Sequence, residues 1–279
     1  MKYSKLYEFG CLQLKAADIS DWKTDSRLLL EYACGTDFNF LYTNPDFEVS
    51  NDKETLYKEY IDKRLTHVPV QHITGSQCFM GLDFKVTPDV LVPRPDTEIL
   101  VEEVLKDLHD GMRILDMCTG SGCILLSLLK YSNDCTGQGV DISPEALKVA
   151  RENAENLGIT SAEFIESDLF QNVSGKFDIL VSNPPYIKTS EIKTLMPEVR
   201  VHDPYIALDG HDDGVYFYRK ILEDSPEFLN RGSLIAFEIG NDEGEAVFKL
   251  MEEAGLKNIE VIKDYGGNDR VVKGFLFKE

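Results

Sequence analysis

The sequence has no Cys-x-x-Cys pair. Its six cysteines are scattered along the chain, as Cys11, Cys34, Cys78, Cys118, Cys123 and Cys135. Zinc sites and dithiol redox centres are usually built from closely spaced cysteine pairs, so both are disfavoured and no bound metal is expected. Buried free thiols in a reducing cytoplasm are the favoured interpretation of these residues.

Long apolar runs are missing as well. No stretch approaches the roughly 20 residues that cross a membrane as a helix. The first residues, Met1 to Lys5, lack the apolar stretch of a signal peptide. The sequence therefore predicts a cytoplasmic protein without a membrane partner.

Positive charge is scarce in this chain. It has 29 Lys and Arg against 49 Asp and Glu, which gives a formal net charge of −20. Because such a charge repels phosphates, direct binding of nucleic acid is not expected, whereas a basic protein partner would be attracted. An equal alternative is that the acidity only confers solubility.

Three regions follow one another along the 279 residues. Residues 1–75 have helical periodicity and carry no strong chemistry. Residues 76–95 change to a period of two, which predicts a β-hairpin linking two domains, with Pro88-Asp89 as its turn. Residues 96–279 alternate strand and helix, which is typical of a parallel sheet with helices on both faces.

The strands of that sheet are predicted from apolar runs between turn signals, at 112–117, 136–141, 161–166, 177–182 and 232–239. Two further β segments, 259–262 and 270–276, flank a Gly-Gly-Asn-Asp turn and predict a closing antiparallel strand. The predicted fold class is therefore α/β, with a small helical domain ahead of the sheet.

A glycine turn follows the first of these strands. The pattern Asp116-x-x-x-Gly120-x-Gly122 lets the backbone pass close to a ligand. Leu125 occupies the place of the third glycine in the Gly-x-Gly-x-x-Gly motif of dinucleotide-binding proteins. The missing glycine disfavours binding of a pyrophosphate.

Three acids lie at the ends of successive strands, at the edge where open α/β sheets bind ligands. Asp116 would suit the ammonium group of an amino acid, and Asp141 could accept both ribose hydroxyls. Asp168 could accept a hydrogen bond from an adenine amine, with Leu169 or Phe170 on the ring face. Each acid alone could be a turn cap or a surface residue. Together they indicate S-adenosylmethionine, which has an ammonium, a free ribose, an adenine and no phosphate.

The segment Ser182-Asn183-Pro184-Pro185-Tyr186 follows the strand 177–182. Consecutive prolines stiffen the backbone and fix the directions of its carbonyl groups. The side-chain oxygen of Asn183 and the carbonyl of Pro184 form two acceptors that can hold one planar –NH2 group, while Tyr186 covers its face. Phe79 could add an apolar wall, although a hairpin core position is the favoured interpretation. The expected target is an amide or amino nitrogen.

Asn183-Pro184-Pro185-Tyr186 after this glycine turn resembles class I S-adenosylmethionine-dependent methyltransferases that act on planar nitrogen. Adenine-N6 DNA methyltransferases and protein-glutamine N5-methyltransferases share the tetrapeptide. The segments Pro69–Gly75 (PVQHITG) and Val92–Glu98 (VPRPDTE) are similar to the peptide chain release factor glutamine methyltransferase family. The resemblance covers nearly the whole chain, including the helical N-terminal region and the hairpin.

This resemblance implies a Rossmann-like, seven-stranded methyltransferase sheet with an antiparallel last strand. It also implies S-adenosylmethionine as methyl donor, S-adenosylhomocysteine as product, and the glutamine of the Gly-Gly-Gln loop in class I release factors as substrate. Residues 1–75 would then form a substrate-recognition domain, and the segment 197–214 would order a loop.

The resemblance also assigns roles to single residues. Asp141 is the expected ribose acid, and Leu169 stands where some relatives have a tryptophan, which leaves the adenine wall less aromatic. The expected cofactor loop consists of Cys118, Thr119, Gly120, Ser121 and Gly122. The expected catalytic residues are Asn183, Pro184 and Tyr186, with Asn183 also near the methyl donor, and the further expected substrate contacts are Pro185, Phe79 and Arg94.

Other functions stay open at this point. A ribosomal protein could be the substrate of the same glutamine chemistry. A DNA adenine methyltransferase would need a basic cleft and a base-flipping surface, which the charge of −20 disfavours. A cofactor-binding protein without catalysis would not need the acceptor side chain of Asn183.

Overall fold

The computed structural model describes residues 1–277, which divide into two units. The first unit comprises Met1–Ser76 and Met196–His202. Its core is formed by apolar side chains of residues 1–76, among them Leu6, Leu29 and Ile61. Its helices are Tyr3–Ala16, Trp22–Cys34, Phe40–Thr43, Asn51–Leu65, Val70–Thr74 and Pro197–His202. The helical character predicted for the N-terminal region is confirmed.

The short segment 196–202 joins the helical unit although the sequence suggested that it belonged to the sheet domain. The cause lies in Arg64, whose side chain is only 6% exposed. Its Nε donates to Asp25 (2.7 Å) and its Nη2 donates to Glu198 (3.0 Å). A buried guanidinium needs such partners, and one of them comes from this distant segment.

A two-stranded hairpin begins at Ser76, the residue before the second unit, with β1 at Ser76–Phe79 and β2 at Leu82–Lys85. Its turn lies at Met80-Gly81, where both residues have positive φ (50° and 70°), as two-residue hairpin turns require. The turn predicted at Pro88-Asp89 is present, since the Val90 N–H donates to Thr87 O (3.2 Å), but it does not connect the strands of the hairpin. The alternation of apolar residues continues past β2 without a strand. Val86 and Val90 instead pack against the helix Pro144–Leu157 through Ala146 and Val149.

The predicted seven-stranded sheet is confirmed. Its strands, in chain order from β3 to β9, are Arg113–Met117, Thr136–Asp141, Ala162–Glu166, Phe177–Ser182, Leu229–Glu238, Leu256–Lys263 and Asp269–Leu276. Their order across the sheet is β5-β4-β3-β6-β7-β9-β8. The pairs among β3 to β7 are parallel, whereas β9 runs antiparallel to β7 and β8. The last strand is therefore the antiparallel one, as predicted.

Helices of the second unit lie along the chain between these strands: Thr97–Leu105, Cys123–Lys130, Pro144–Leu157, Thr189–Ile192, Tyr216–Asp224 and Gly244–Glu253. Short 3-10 turns occur at Tyr205–Ala207 and Ser225–Glu227. Two large apolar clusters include inward-facing residues of the sheet, with Ile114 in one and Leu115 in the other. Alternate strand residues thus serve opposite faces, and the central strands are buried on both.

Four of the six cysteines are buried as expected, and two are not. Cys78 is exposed and Cys118 is partly exposed, while the other four thiols are buried. Cys78 is exposed because it lies on the outward side of β1, whose buried residue is Phe79. Among residues 1–277, no helix is both long and apolar enough to cross a membrane.

Candidate functional site

A cavity of about 590 Å³ lies at the carboxyl ends of β3, β4 and β6. Its lining includes ten residues that the sequence predicted as site residues: Arg94, Cys118, Thr119, Gly120, Ser121, Asp141, Asp168, Leu169, Asn183 and Pro185. Lining residues as far apart in the sequence as Asp89 and Phe217 therefore meet at one sheet edge, because parallel strands bring their ends together there.

The loop 118–122 takes unusual backbone conformations on one side of this cavity. Cys118 has a φ of 61° and Gly120 a φ of 54°. A Cβ on Gly120 would meet nothing within 4 Å, so this residue leaves open space beside the cavity. A left-handed cysteine is strained, and such strain is typical of functional sites.

Gly122 serves packing and does not line the cavity. With a φ of 79°, it precedes the helix Cys123–Lys130. A Cβ there would come within 3.2 Å of both Ala150 and Leu126. The second glycine of the pattern thus lets the helix that follows it approach the helix Pro144–Leu157.

Asp116 is fully buried and does not line the cavity. Its Oδ2 accepts hydrogen bonds from Thr119 Oγ1 (2.6 Å) and from the Leu125 backbone N–H (3.3 Å). Burial raises the pKa of Asp116 to about 7. The structure thus places this acid under the glycine turn, where it holds Thr119, whereas the sequence suggested direct contact with an ammonium group.

Asp141 occupies the carboxyl end of β4 and faces the cavity. Its Oδ2 accepts from the Gly120 backbone N–H (2.9 Å), and its Oδ1 accepts from the Ser143 backbone N–H (3.0 Å). Burial raises its pKa, while these two bonds oppose the increase. The carboxylate is therefore held in one orientation by main-chain donors.

The next strand brings Asp168 and Leu169 to the same cavity. Leu169 has a φ of 47°, so it is a strained lining residue like Cys118 and His211. Phe170 points elsewhere: its ring stacks on Phe228 at 4.8 Å between centroids, within the core. Of the two residues proposed for the adenine face, Leu169 is the one at the cavity.

Asn183 and Pro185 line the cavity after β6, whereas the side chain of the buried Pro184 is not among the lining residues. The Asn183 Nδ2 donates to the Thr97 hydroxyl at 3.4 Å, so its Oδ1 is the end of the carboxamide that can accept. Tyr186 borders a smaller neighbouring pocket of about 250 Å³, and its hydroxyl donates to Glu238 (3.4 Å). Burial raises the pKa of Tyr186, so this hydroxyl stays protonated.

Arg94 lies at the cavity and Phe79 does not. Arg94 Nη2 pairs with Asp203 at 2.6 Å. Phe79 is 1% exposed and packs edge to face against Phe84, at 6.0 Å between centroids. The structure places Phe79 in the hairpin core, which was the favoured interpretation.

Most residues of the segment 204–211 line the cavity, whereas the sequence analysis assigned this segment only a loop-ordering role. The backbone of Ile187 pairs with this segment: its N–H donates to Leu208 O (3.0 Å), and its O accepts from the Gly210 N–H (2.8 Å). A Cβ on Gly210 would lie 2.7 Å from the Tyr186 Cα. Gly210 thus allows close packing against the segment after the prolines, and this contact has no local sequence signal beyond the glycine.

Thr97 and Glu238 were missed by sequence reasoning. Thr97 is 3% exposed at the start of a helix, and it lines the cavity beside Asn183. Glu238 is 2% exposed at the end of β7. The signal available in the sequence was a glutamate that directly follows the apolar run Leu234–Phe237 at the end of a predicted strand. Among residues 1–277, no cluster of three metal-ligating side chains forms.

Comparisons with known proteins agree with this architecture. Residues 94–202 match the family described as the methyltransferase small domain, and residues 5–75 match the PrmC N-terminal domain. The release factor glutamine methyltransferase of Clostridium acetobutylicum is 43% identical over 265 residues, covering 93% of each chain. That of Agrobacterium fabrum is 41% identical over 267 residues, covering 93% of this chain and 92% of the relative.

A solved structure supports the fold. The 16S rRNA N2 G1207 methyltransferase of T. thermophilus, solved with AdoMet and guanosine, matches with a TM-score of 0.53 at 16% identity. The match covers 72% of this chain and 49% of that one. At this identity the likeness concerns the fold alone.

Proposed function

The chain belongs to the release factor glutamine methyltransferase family, and from this premise we propose its reaction and substrate. It transfers the methyl group of S-adenosylmethionine to the side-chain amide nitrogen of the glutamine in the Gly-Gly-Gln motif of class I release factors. The observation that carries the proposal is Asn183, which lines the cavity with its Nδ2 tied to Thr97 and its Oδ1 able to accept.

The cavity suits the methyl donor. Asp141 is held by two backbone N–H groups, and its fixed carboxylate would accept the ribose hydroxyls. The free space above Gly120 and the apolar side chain of Leu169 would take the nucleoside, with Asp168 near its amine. When bound, the cofactor supplies an electrophilic methyl group on a positively charged sulfur.

Asn183 would prepare the substrate nitrogen. An amide nitrogen is a poor nucleophile, because its lone pair is delocalised into the carbonyl group. Asn183 Oδ1 and the Pro184 carbonyl would accept its two hydrogens, which raises electron density on nitrogen and directs the lone pair. Positioning of this kind contributes about 7–11 kcal/mol in favourable cases. The same acceptors stabilise positive charge as it develops on nitrogen, and the surplus proton then leaves to water.

Tyr186 has a different place in this proposal from the one that the sequence suggested. Its ring packs against the core and borders the neighbouring pocket. It would therefore meet the substrate amide only at the boundary of the two pockets. Its hydrogen bond to Glu238 also fixes the end of the diproline segment.

The helical unit would recognise the body of the release factor. Two exposed aromatic residues support this role: Phe38 (54% exposed) and Tyr42 (69%), with ring centroids 5.7 Å apart. Changing both to Ser should raise KM for an intact release factor but not for a free Gly-Gly-Gln peptide. Tyr265→Ser, at a 93% exposed position of the other unit, is the matched control. If the double variant and the wild type have equal KM values for the intact factor, these side chains do not take part in recognition.

The proposed substrate is tested by comparing it with the alternative substrates. The full chain is incubated with labelled methyl donor and purified release factors, ribosomal proteins and DNA in separate reactions. Label is expected only in class I release factors, and its loss when the motif glutamine is changed to Glu would locate it. Label in a ribosomal protein or in DNA, with none in a release factor, would contradict the proposal.

A further inference from the structure

The side chain of Asn183 is held by a partner far away in the sequence. Its Nδ2 donates to Thr97 Oγ1 at 3.4 Å. Thr97 is 3% exposed and lies at the start of the helix Thr97–Leu105. The hydroxyl therefore stands behind the carboxamide, on the cavity wall.

Glu238 adjoins the other end of the segment 183–186 through Tyr186. The Tyr186 hydroxyl donates to Glu238 Oε1 at 3.4 Å. The other carboxylate oxygen, Oε2, is buried and makes no hydrogen bond of regular geometry within residues 1–277. Burial raises the pKa of this carboxyl, whereas the side chain of Thr97 lowers it and so favours the charged form. One buried acid thus interacts with Tyr186, at one end of the segment 183–186, and with Thr97, which bonds to Asn183 at the other end.

The direction of these hydrogen bonds matters because a hydroxyl has only one hydrogen. If Thr97 donates that hydrogen to Glu238, its lone pairs are left for Asn183. Asn183 must then turn its –NH2 towards Thr97 and its oxygen towards the cavity. Without this constraint the carboxamide can rotate by half a turn and present two hydrogens where an acceptor is needed.

We propose that Thr97 and Glu238 are positioning residues that determine which end of the Asn183 carboxamide faces the substrate. The inference rests on the proposed function, because it assigns their role to the amide-accepting step. Neither residue needs to touch the reacting atoms. The pair acts through Asn183, with Glu238 setting the direction of the Thr97 hydroxyl.

Acidification should weaken this arrangement. Burial raises the pKa of Glu238 to about 7, and a protonated carboxyl can donate to Thr97, which frees the hydroxyl to turn. The ionisable groups that act on Glu238 or are acted on by it are Tyr186, Arg270, Asp96, Tyr218 and Cys123. Arg270 favours the charged form and Asp96 opposes it. Arg270 is itself paired with Asp96 (3.2 Å) and Asp264 (3.1 Å).

The first test needs no substrate. Nitrogen-15 NMR of the full chain follows the side-chain amide signals of Asn183, assigned by their loss in Asn183→Asp. Thr97→Val and Glu238→Gln should both shift these signals. In the wild type the signals should also titrate with a midpoint near pH 7, and Glu238→Gln should abolish this titration.

Glu243→Gln is the matched control, because Glu243 is also buried and has a pKa raised to about 7, yet it bonds to the Gly240 N–H and Tyr218. It should leave the Asn183 signals and their titration unchanged. Unchanged signals in both Thr97→Val and Glu238→Gln would overturn the proposal. So would an equal change in Glu243→Gln, since that would reflect general packing. Because no acceptor is present, these outcomes do not depend on whether release factors are the substrate.

The second test measures methyl transfer to the release factor. Thr97→Val and Glu238→Gln should each lower kcat by about tenfold, as expected for a lost buried hydrogen bond, with KM for the methyl donor within about threefold. Thr97→Ser keeps the hydroxyl and should restore kcat to within about threefold of wild type. Glu238→Gln should also remove the fall of kcat below pH 7, which a purely structural role would leave in place. A serine variant as slow as the valine variant would contradict the role of the hydroxyl.

Discussion

Asp141 is held by backbone N–H groups 21 and 2 positions away, whereas Asn183 is held by a side chain 86 positions away. These two residues represent two parts of one cavity. The cofactor part consists of strand ends and the loop 118–122, whose donors are main-chain groups. The acceptor part consists of the diproline segment, whose supports, Thr97 and Glu238, are side chains from other elements.

This difference predicts how each part responds to substitution. Main-chain donors remain when a neighbouring side chain is changed, so the cofactor part should lose affinity only when the accepting side chain itself is removed. The acceptor part should lose turnover when Asn183 or either of its supporting side chains, Thr97 and Glu238, is changed. Separate measurements of cofactor affinity and of turnover therefore distinguish the two parts.

Asn183→Ala should have the largest effect. Turnover should fall by about a thousandfold or more, because the fixed acceptor for the amide hydrogens is gone. Affinity for S-adenosylmethionine, measured by calorimetry, should stay within about tenfold of wild type. Asn230→Ala is the control, since Asn230 is exposed and bonds to Asp178, near the other end of β6 from Asn183. Equal losses of affinity and turnover would show that the two parts of the site do not act separately.

Asp141→Ala should show the converse pattern. Cofactor affinity should fall by about a hundredfold, because hydrogen bonds to a charged acceptor are lost. Turnover at saturating cofactor should change much less. Glu166→Ala is the matched control, since Glu166 is the register partner of Asp141 on β5 and is exposed. Unchanged affinity in Asp141→Ala would take this acid out of the cofactor site.

Two glycines of β4 offer a finer test of the cofactor part. A Cβ on Gly139 would lie 2.7 Å from the Phe164 ring and 2.9 Å from Thr119 Oγ1, whereas one on Gly137 would lie 2.4 Å from Leu125. Each change to Ala should cost about 1–3 kcal/mol of unfolding free energy by overpacking, measured in denaturant. Only Gly139→Ala disturbs the loop 118–122, so it alone should weaken cofactor binding, by about fivefold. Equal affinity in the two variants would mean that Thr119 does not position the loop.

The same contrast explains what the sequence could predict. Strand ends at β3, β4 and β5 carry their acids within a regular β-α alternation, so Asp141 and Asp168 could be placed at one edge from periodicity alone. Neither the packing role of Gly122 nor the burial of Asp116 under the turn could be seen, because both depend on how helices approach the sheet.

The acceptor part was predictable only up to its own segment. Asn183 and the two prolines are adjacent, so their chemistry is visible in five consecutive letters. Thr97 and Glu238 reach that segment through tertiary contacts at separations of 86 and 52 positions, which no local pattern encodes. The hairpin lies nearer the N-terminus than predicted for a similar reason, since Val86 and Val90, which follow β2, pack against a helix and do not form a strand.

The smallest expected effect concerns a property that the two parts share, namely a buried acid. Burial raises the pKa of Asp116 from 3.8 to about 7, so the folded chain keeps this proton to a higher pH than the unfolded chain does. Its contribution to stability is therefore fully present below about pH 4 and is lost as the pH rises through about 7. Asp116→Asn cannot ionise, so its unfolding free energy relative to wild type should rise by about 1.4 kcal/mol between pH 6 and pH 8, which is one pKa unit's worth of free energy. Glu238→Gln should give a shift of the same sign, whereas Glu166→Gln, at an exposed position, should give none. A shift in only one of the two buried acids would show that the two parts differ in electrostatics as well as in the origin of their hydrogen bonds.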